Sequence, residues 1–176
     1  MSTWEAGIVE LAEADDRRVA FEAAVRLESS RLFRLAISIL HDAGEAEDAV
    51  QESMMRAWKA WDSLHDPERR NAWLTQICVN QCLSQKRRRG GRWLLFADHS
   101  AKVSDAQTVA YADTGDLDLD RAYQHLSLHQ RAVLTLHYQY GYKLDECARL
   151  MRCRPGTVRS HLARALSTLR QEMADV

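Results

Sequence analysis

Residues 143–169 read KLDECARLMRCRPGTVRSHLARALSTL, the pattern of two short helices joined by a tight turn. The first helix is expected over residues 143–151 and the second over residues 155–169. Apolar side chains recur three or four positions apart along one side of the second helix, as in a helix that is buried along a single stripe. The stretch therefore predicts a helix-turn-helix, a motif whose second helix commonly lies in the major groove of DNA.

The other side of the second helix is small and positively charged. The residues expected to point away from the core are Gly156, Ser160, Ala163 and Ser167. Small residues let a helix backbone approach a groove, while flanking guanidinium groups reach phosphates or guanine edges. Residues 149–170 hold six arginines, one histidine and no acidic residue. This composition favours contact with nucleic acid over a merely structural helical hairpin.

Charge is segregated along the chain, although the net charge is only -1. Residues 84–92 hold five basic residues and no acid, whereas residues 97–120 hold six aspartates and one lysine. The segregation predicts two basic surfaces separated by an acidic connector.

The remaining pattern is also helical. The chain has 176 residues with only two prolines and seven glycines, which argues for mostly helix. Apolar stripes predict helices over about 19–40 and over about 70–88. Between them, Asp42 with Glu45 resembles a capping box that opens a helix ending near residue 61.

The C-terminal part follows a stretch without clear periodicity. A short helix is expected from about residue 117, and Ser127 with Gln130 resembles a capping box that starts a longer helix ending at Gly141. These elements predict an all-α fold: two small helical domains joined by a flexible acidic linker. The predicted divisions are an N-terminal tail (1–18), a helical bundle (19–91), the linker (92–116) and a helix-turn-helix domain (117–176).

Membrane, metal and catalytic classes are not favoured. No stretch approaches the roughly 20 apolar residues of a membrane span, and the start is too polar for a signal peptide, so we expect a cytoplasmic protein without membrane insertion. The cysteines lack the C-x2-C spacing of zinc sites; Cys78, Cys82 and Cys147 are expected in the core and Cys153 in an exposed turn. No P-loop, H-E-x-x-H motif or nucleophile elbow is present, so neither enzyme activity, a metal nor a cofactor is predicted.

Two motifs, taken in their order and spacing, point to a family. Residues 45–52 read EAEDAVQE and residues 155–160 read PGTVRS, with a Trp-Leu pair at 73–74 and three arginines at 87–89 between them. Over about residues 21–173 the chain resembles the extracytoplasmic-function group of bacterial sigma factors. The resemblance implies an alternative sigma factor, whose region 2 and region 4 domains direct core RNA polymerase to promoters for transcription initiation.

The acidic helix of region 2 carries the first contact that the resemblance implies. Its outward face, at Asp48, Gln51 and Glu52, corresponds to the face that binds core RNA polymerase. An acidic, lightly hydrophobic face suits a basic partner. Composition alone also allows a solvated face without a partner.

The third helix corresponds to the element that opens the promoter at the minus-10 sequence. Its basic end, at Lys86, Arg87 and Arg88, can hold phosphates through an attraction that weakens with salt. Asn80 corresponds to a polar position that handles unpaired bases; a helix residue bonded to a neighbouring backbone is an equally open interpretation. Trp73 is interpreted as core rather than as a stacking platform. Capture of an unpaired base offsets the cost of unstacking, so melting needs no nucleotide hydrolysis.

For region 4, the resemblance implies that the second helix of the hairpin reads the minus-35 element. Arg159, Ser160 and Arg164 are the candidate groove contacts. Arg154 and Thr157, near the helix start, are candidates for phosphate contact.

Three positions depart from the family pattern. Arg152 lies in the turn where members commonly have glycine, so the backbone must bend there without the residue that bends most easily. Cys147 replaces a branched aliphatic residue, and His161 replaces a common arginine. The fold prediction is unchanged, but the DNA sequence that is read stays open.

Core RNA polymerase and promoter DNA are the expected partners, and the resemblance allows, without requiring, an anti-sigma factor. A free linker of about 25 residues would span roughly 25–30 Å, against about 70 Å between promoter elements, so polymerase is expected to hold the domains apart. A free-standing helix-turn-helix regulator explains the C-terminal half equally well, but not the acidic face or the basic helix end of the first domain. A protein-binding adaptor does not explain the acid-free stretch 149–170.

Overall fold

The computed structural model describes the backbone of residues 3–93 and 117–174, and the side chains of residues 15–84 and 121–174. Within these ranges the chain is helical and has no strand, which confirms the predicted all-α class. The α-helices are α1 (Thr3–Leu40), α2 (Ala43–Lys59), α3 (Arg70–Trp93), α4 (Leu117–Gln124), α5 (Leu128–Leu134), α6 (Leu144–Leu150) and α7 (Pro155–Ala174). Two 3-10 turns, Trp61–Ser63 and Pro67–Arg69, connect α2 to α3, and a π-helical turn, Thr135–Gln139, continues α5. The predicted linker lies outside the described residues, apart from its first two positions.

The first helix is longer than predicted. It begins at Thr3, so most of the predicted tail at 1–18 is helical. This part of the sequence has three alanines and three glutamates, residues that favour helix. Arg17 fixes the helix against the end of the next one: its Nε lies 2.8 Å from Oδ1 of Asp62, and Nη2 donates to the Trp58 carbonyl at 3.0 Å.

The third helix also passes its predicted end near residue 88. Its backbone stays helical through Gly90 and Gly91 to Trp93. Glycine costs about 1 kcal/mol relative to alanine in a helix interior, but it keeps the N–H that proline lacks. The glycine pair therefore weakens the helix without ending it.

Both predicted capping boxes lie at helix starts. Oδ1 of Asp42 accepts from the Glu45 N–H at 2.7 Å, which confirms the start of α2. At α5, Ser127 and Gln130 bond reciprocally: the Ser127 N–H donates to Oε1 of Gln130 at 2.7 Å, and the Gln130 N–H donates to the Ser127 hydroxyl at 3.4 Å. These side chains satisfy N–H groups that the first turn of a helix leaves unpaired.

The apolar faces of α1, α2 and α3 pack together as a bundle. Leu32, Leu35 and Ile39 of α1 are fully buried, and Ala46 and Ala49 of α2 are buried with them. The same hydrophobic cluster continues into the C-terminal helices, where its buried members are Leu128, Ala132, Val133, Leu136, Cys147, Ala148, Leu150, Met151 and Val158. The two predicted domains therefore share one core in this structure.

The helix-turn-helix has the predicted form. Along α7, Val158 and Ala165 are buried and Leu162, Leu166 and Leu169 are partly buried. The small residues predicted to point outward are all exposed: Gly156, Ser160, Ala163 and Ser167. Both predicted faces of this helix are thus confirmed.

Three of the turns need a left-handed backbone, and the first, at His41 with φ 56, joins α1 to α2. Gly141 has φ 72, as expected for a residue that ends a helix. In the hairpin turn the same conformation falls on Arg152, with φ 50, where the family commonly has glycine. The Cys153 N–H donates to the Ala148 carbonyl at 3.0 Å and closes the turn. The turn therefore forms with a residue that adopts this conformation at some cost.

Replacement of Gly141 by alanine should lower the free energy of unfolding by about 1 kcal/mol, because a Cβ is strained at this φ even with open space around it. Gly156→Ala is the matched control, since a Cβ there also meets nothing within 4 Å but the backbone is helical. The control should keep or raise stability. Urea unfolding followed by circular dichroism measures the free energy of unfolding of both variants. An equal loss in the two variants would contradict the role assigned to the positive φ of Gly141.

Candidate nucleic-acid and protein interfaces

The predicted groove-reading residues share the open side of α7. Arg154, Thr157, Arg159, Ser160 and Arg164 are all exposed. Three of them, at positions 157, 160 and 164, follow one another at helical spacing on a single line. The arrangement presents hydroxyl groups in the middle and guanidinium groups around them, which suits contact with base edges and phosphates.

Arg159 has one partner within the described residues. Its Nη2 lies 3.5 Å from Oδ1 of Asp145 on α6, and the two side chains are 62% and 71% exposed. A pair so exposed contributes little to stability. Asp145 can thus orient the guanidinium without holding it away from a stronger acceptor such as phosphate.

His161 does not add charge to this face. Partial burial, and secondarily Arg164, lower its pKa, and its ring stacks on that of His129 at 5.2 Å between centroids. The imidazole is therefore neutral near pH 7, and the positive charge of the helix comes from its arginines.

The acidic helix α2 presents the predicted protein-binding face. Asp48 and Gln51 are exposed, and Glu52 is partly exposed with its Oε1 3.3 Å from Nε of Arg56. Met55, one turn further on, is 56% exposed. A single exposed apolar side chain is ordinary on a protein surface, so the polymerase-binding role of this face stays a prediction.

Asn80 on α3 is partly buried and already bonded. Its Nδ2 donates to the Gln76 carbonyl within the same helix and, at 2.9 Å, to the Leu150 carbonyl at the end of α6. One turn earlier, Nε2 of Gln76 donates to the Arg149 carbonyl at 3.0 Å. The predicted base-reading position therefore lies against the helix-turn-helix domain. The basic positions Lys86, Arg87 and Arg88 lie on α3, with side chains outside the described part of the chain.

Two further polar contacts between the domains were not predicted either. Arg131 of α5 is only 8% exposed, and its Nη1 donates to carbonyls at the end of α1. Burial lowers the pKa of Arg131. Tyr140 donates its hydroxyl to the Arg31 carbonyl at 3.2 Å. A sequence signal for the first contact does exist, because Arg131 falls three positions after Leu128, on the apolar side of its helix.

A cleft lies between the two domains, beside the hydrogen bond of Gln76 with Arg149. Its volume is about 620 Å³, and residues of the 63–76 segment line one side of it. Tyr142, Glu146, Arg149 and Leu150 line the other side. The cleft opens where α3 meets α6, so its shape depends on how the domains pack.

Among the described residues, no cluster of His, Cys, Asp and Glu side chains is suited to holding a metal ion, and no helix is long and apolar enough to cross a membrane.

The cysteines lie where the sequence predicted. Cys78, Cys82 and Cys147 are buried, and Cys153 is partly exposed. A hydrogen bond with Cys78, and then burial, raise the pKa of Cys82, while burial raises the pKa of Cys147 to about 11. Burial also raises the pKa of Cys153, to a smaller extent. Cys82, Cys147 and Cys153 are thus weak nucleophiles at neutral pH, because the thiolate is the reactive form.

Known proteins match both domains in the predicted order. Residues 24–92 match the family described as Sigma-70 region 2, and residues 116–169 match Sigma-70, region 4. The chain is 31% identical over 156 residues to the ECF RNA polymerase sigma factor SigM of Mycobacterium tuberculosis, which covers 86% of this chain and 76% of that protein. It is 27% identical over 170 residues to the RNA polymerase sigma-H factor of Pseudomonas aeruginosa, over 90% of this chain and 88% of that protein.

A solved structure agrees with these matches. The sigma factor RpoE, in a complex with the anti-sigma factor NepR from Bartonella quintana, has a TM-score of 0.68 to this chain at 29% sequence identity. The match covers 88% of this chain and 97% of that one.

Alkylation with iodoacetamide at pH 8 should modify Cys153 first, since the three other thiols are buried in the folded chain. Mass spectrometry of peptides from samples taken over time measures the order in which the cysteines are modified. Cys153→Ser should remove the early phase, and addition of urea should expose the remaining thiols together. Early modification of Cys147 would contradict its burial in the hairpin.

Proposed function

Since the chain belongs to the extracytoplasmic-function group of bacterial sigma factors, which are alternative sigma factors of transcription initiation, we propose that it binds core RNA polymerase through α2 and promoter DNA through α3 and α7. The observation that carries the proposal is the exposed face of α7 with Arg159, Ser160 and Arg164 on a formed helix-turn-helix, within a stretch, residues 149–170, that contains no acidic residue. Both matched regions support this role over that of a free-standing regulator, which has no need of region 2.

Region 4 reads the minus-35 element through α7. Arg159, Ser160 and Arg164 approach base edges in the major groove, and Arg154 with Thr157 holds phosphates at the helix start. The exposure of all five side chains supports these roles. Arg152, which replaces a glycine in the turn, adds a further guanidinium beside this surface.

Region 2 supplies two surfaces. The face with Asp48, Gln51 and Glu52 binds core polymerase, and its exposure beside Met55 supports that role. Asn80 receives an unpaired base of the minus-10 element, with Lys86, Arg87 and Arg88 on the neighbouring phosphates. Binding energy drives strand opening, so the protein acts as a binding factor in the cytoplasm, without enzyme activity of its own.

An anti-sigma factor is proposed as a further partner. The support is the similarity to RpoE, which was solved with the anti-sigma factor NepR. A partner of this kind would compete with core polymerase for the chain.

With purified core RNA polymerase, the chain should co-elute and start transcription at sites on genomic fragments that the core enzyme alone does not use. The double substitution Asp48→Lys and Glu52→Lys should weaken the association of the chain with core polymerase by roughly tenfold, because it reverses the charge of the binding face. Binding is measured by titration of labelled polymerase, and start sites are mapped from run-off transcripts.

The control for that experiment is the double substitution Asp16→Lys and Glu22→Lys. It lies at exposed positions of α1 and gives the same change in net charge. The control should bind polymerase as the parent chain does. Failure of the parent chain to bind polymerase, or to start any transcript, would overturn the proposed function. An equal loss in variant and control would overturn only the assignment of the α2 face.

Arg159→Ala should weaken promoter binding by the polymerase complex by roughly 1–3 kcal/mol and relax base preference at one or two positions of the minus-35 element. Selection from randomised minus-35 DNA measures the preference. Arg170→Ala, the same change at an exposed position near the end of α7, should leave the preference intact. An unchanged preference in Arg159→Ala would assign this residue to phosphate contact instead.

A further inference from the structure

Three residues of the described chain have a left-handed backbone, and two of them are not glycine. Gly141 has φ 72, His41 has φ 56 and Arg152 has φ 50. Glycine adopts this conformation freely, and histidine is among the residues that adopt it more often than others. Arginine has no such preference, and its Cβ comes too close to the following carbonyl oxygen. The left-handed backbone is therefore least expected at Arg152.

The contacts of the two non-glycine side chains differ. The His41 ring lies against the Tyr123 ring, with 5.5 Å between the centroids, so an internal contact offsets the strain there. The Arg152 side chain is exposed, and among the described residues its guanidinium has neither a hydrogen bond nor an ion pair. Within the described chain, nothing accounts for an arginine at this position.

The turn has little freedom to relieve the strain. Its neighbours on both sides face the core, since Met151 is buried and Cys153 is partly buried against the same hydrophobic cluster. The Cys153 N–H donates to the Ala148 carbonyl at 3.0 Å. The N–H of residue 152 donates to the Arg149 carbonyl at 3.2 Å. A rotation of the backbone at this point would disturb both bonds, and strain persists where the surroundings hold the backbone in this way.

The turn also concentrates positive charge. Arg149, Arg152 and Arg154 follow one another closely along the chain, and all three are exposed. Among the described side chains, one carboxylate forms an ion pair with them: Oε1 of Glu146 lies 3.9 Å from Nη2 of Arg149. Like charges repel one another, and a phosphate that binds between them removes the repulsion. The charge of the turn is therefore better balanced on DNA than in the free chain.

We infer that Arg152 contacts a DNA phosphate, and that the chain keeps an arginine at this strained position because the contact raises affinity for DNA at the expense of folding stability. The inference rests on the proposed function in its assignment of α7 to duplex DNA, and it adds a residue of the turn to the contact. Residue 152 lies two positions before Arg154, the candidate phosphate contact at the start of α7. A phosphate contact strengthens binding to every DNA sequence, because it carries no base information.

Three substitutions of Arg152 in the whole chain separate strain from charge. Arg152→Gly removes both the strain and the charge, Arg152→Ala removes the charge alone, and Arg152→Lys keeps both. Arg26→Ala, at an exposed position of α1, is the control for the loss of one positive charge. Thermal unfolding followed by circular dichroism measures the stability of each variant. Fluorescence anisotropy at several salt concentrations measures the binding of the free chain to double-stranded DNA of mixed sequence.

Arg152→Gly should raise the melting temperature by about 2–4 °C, because glycine adopts this φ freely. Its affinity for DNA should fall by about fivefold, and the slope of log K against log salt concentration should become shallower by about one, as for one lost phosphate contact. Arg152→Ala should lose the same affinity without becoming more stable. Arg152→Lys should match the wild type in stability and in slope, and Arg26→Ala should match it in affinity and in slope.

The variants separate the ways in which the inference can fail. Wild-type DNA binding by Arg152→Gly and Arg152→Ala would overturn the phosphate contact. An unchanged melting temperature in Arg152→Gly would overturn the exchange of stability for affinity. An equal change of slope in Arg26→Ala would overturn the assignment to this turn. None of these measurements uses polymerase, so a chain whose variants behave as expected but which starts no transcript would refute the sigma function and leave this inference supported.

Discussion

Every α-helix ends in carbonyl groups that its own backbone leaves unpaired, and the arrangement of this chain depends on where α1 and α6 find donors for theirs. Both find donors across the boundary between the two regions, α1 in Arg131 and α6 in Gln76 and Asn80. The Arg149 carbonyl, which accepts from Gln76, also accepts from the Arg152 N–H of its own turn. The shared hydrophobic core brings these groups together, but it does not fix their register. Directional bonds to particular carbonyls do, because a shift of one helix by a single residue would break them.

The three candidate binding surfaces therefore differ in how far they are exposed in this structure. The face of α7 is exposed, and so are Asp48 and Gln51 on α2, whereas Asn80 on α3 is engaged by the other region. For the proposed roles, this means that the surfaces for polymerase and duplex DNA are open in this structure, whereas the side chain proposed to receive an unpaired base is engaged by α6.

Features that depend on local sequence could be predicted, and features between the regions could not. The two faces of α7, the capping residues Asp42 and Ser127, and the burial of Cys147 all follow from spacing within one helix, and all are confirmed. The start of α1 was predicted wrongly, because the polar, acidic residues 1–18 were assigned to a tail although alanine and glutamate favour helix there. The partner of Asn80 is a backbone carbonyl 70 positions away. No side chain marks such a partner, since every residue carries the same carbonyl group.

The contact between the two regions combines a buried guanidinium with helix-end carbonyl groups. A guanidinium loses much of its hydration when Arg131 is buried, and burial lowers its pKa for that reason. Carbonyl groups replace part of the lost water. The net contribution of such bonds is small, although leaving one of them unmade inside the interface is costly. The apolar side chains of the shared core drive the contact between the regions, and the polar groups at the helix ends make the packing specific because their bonds are directional.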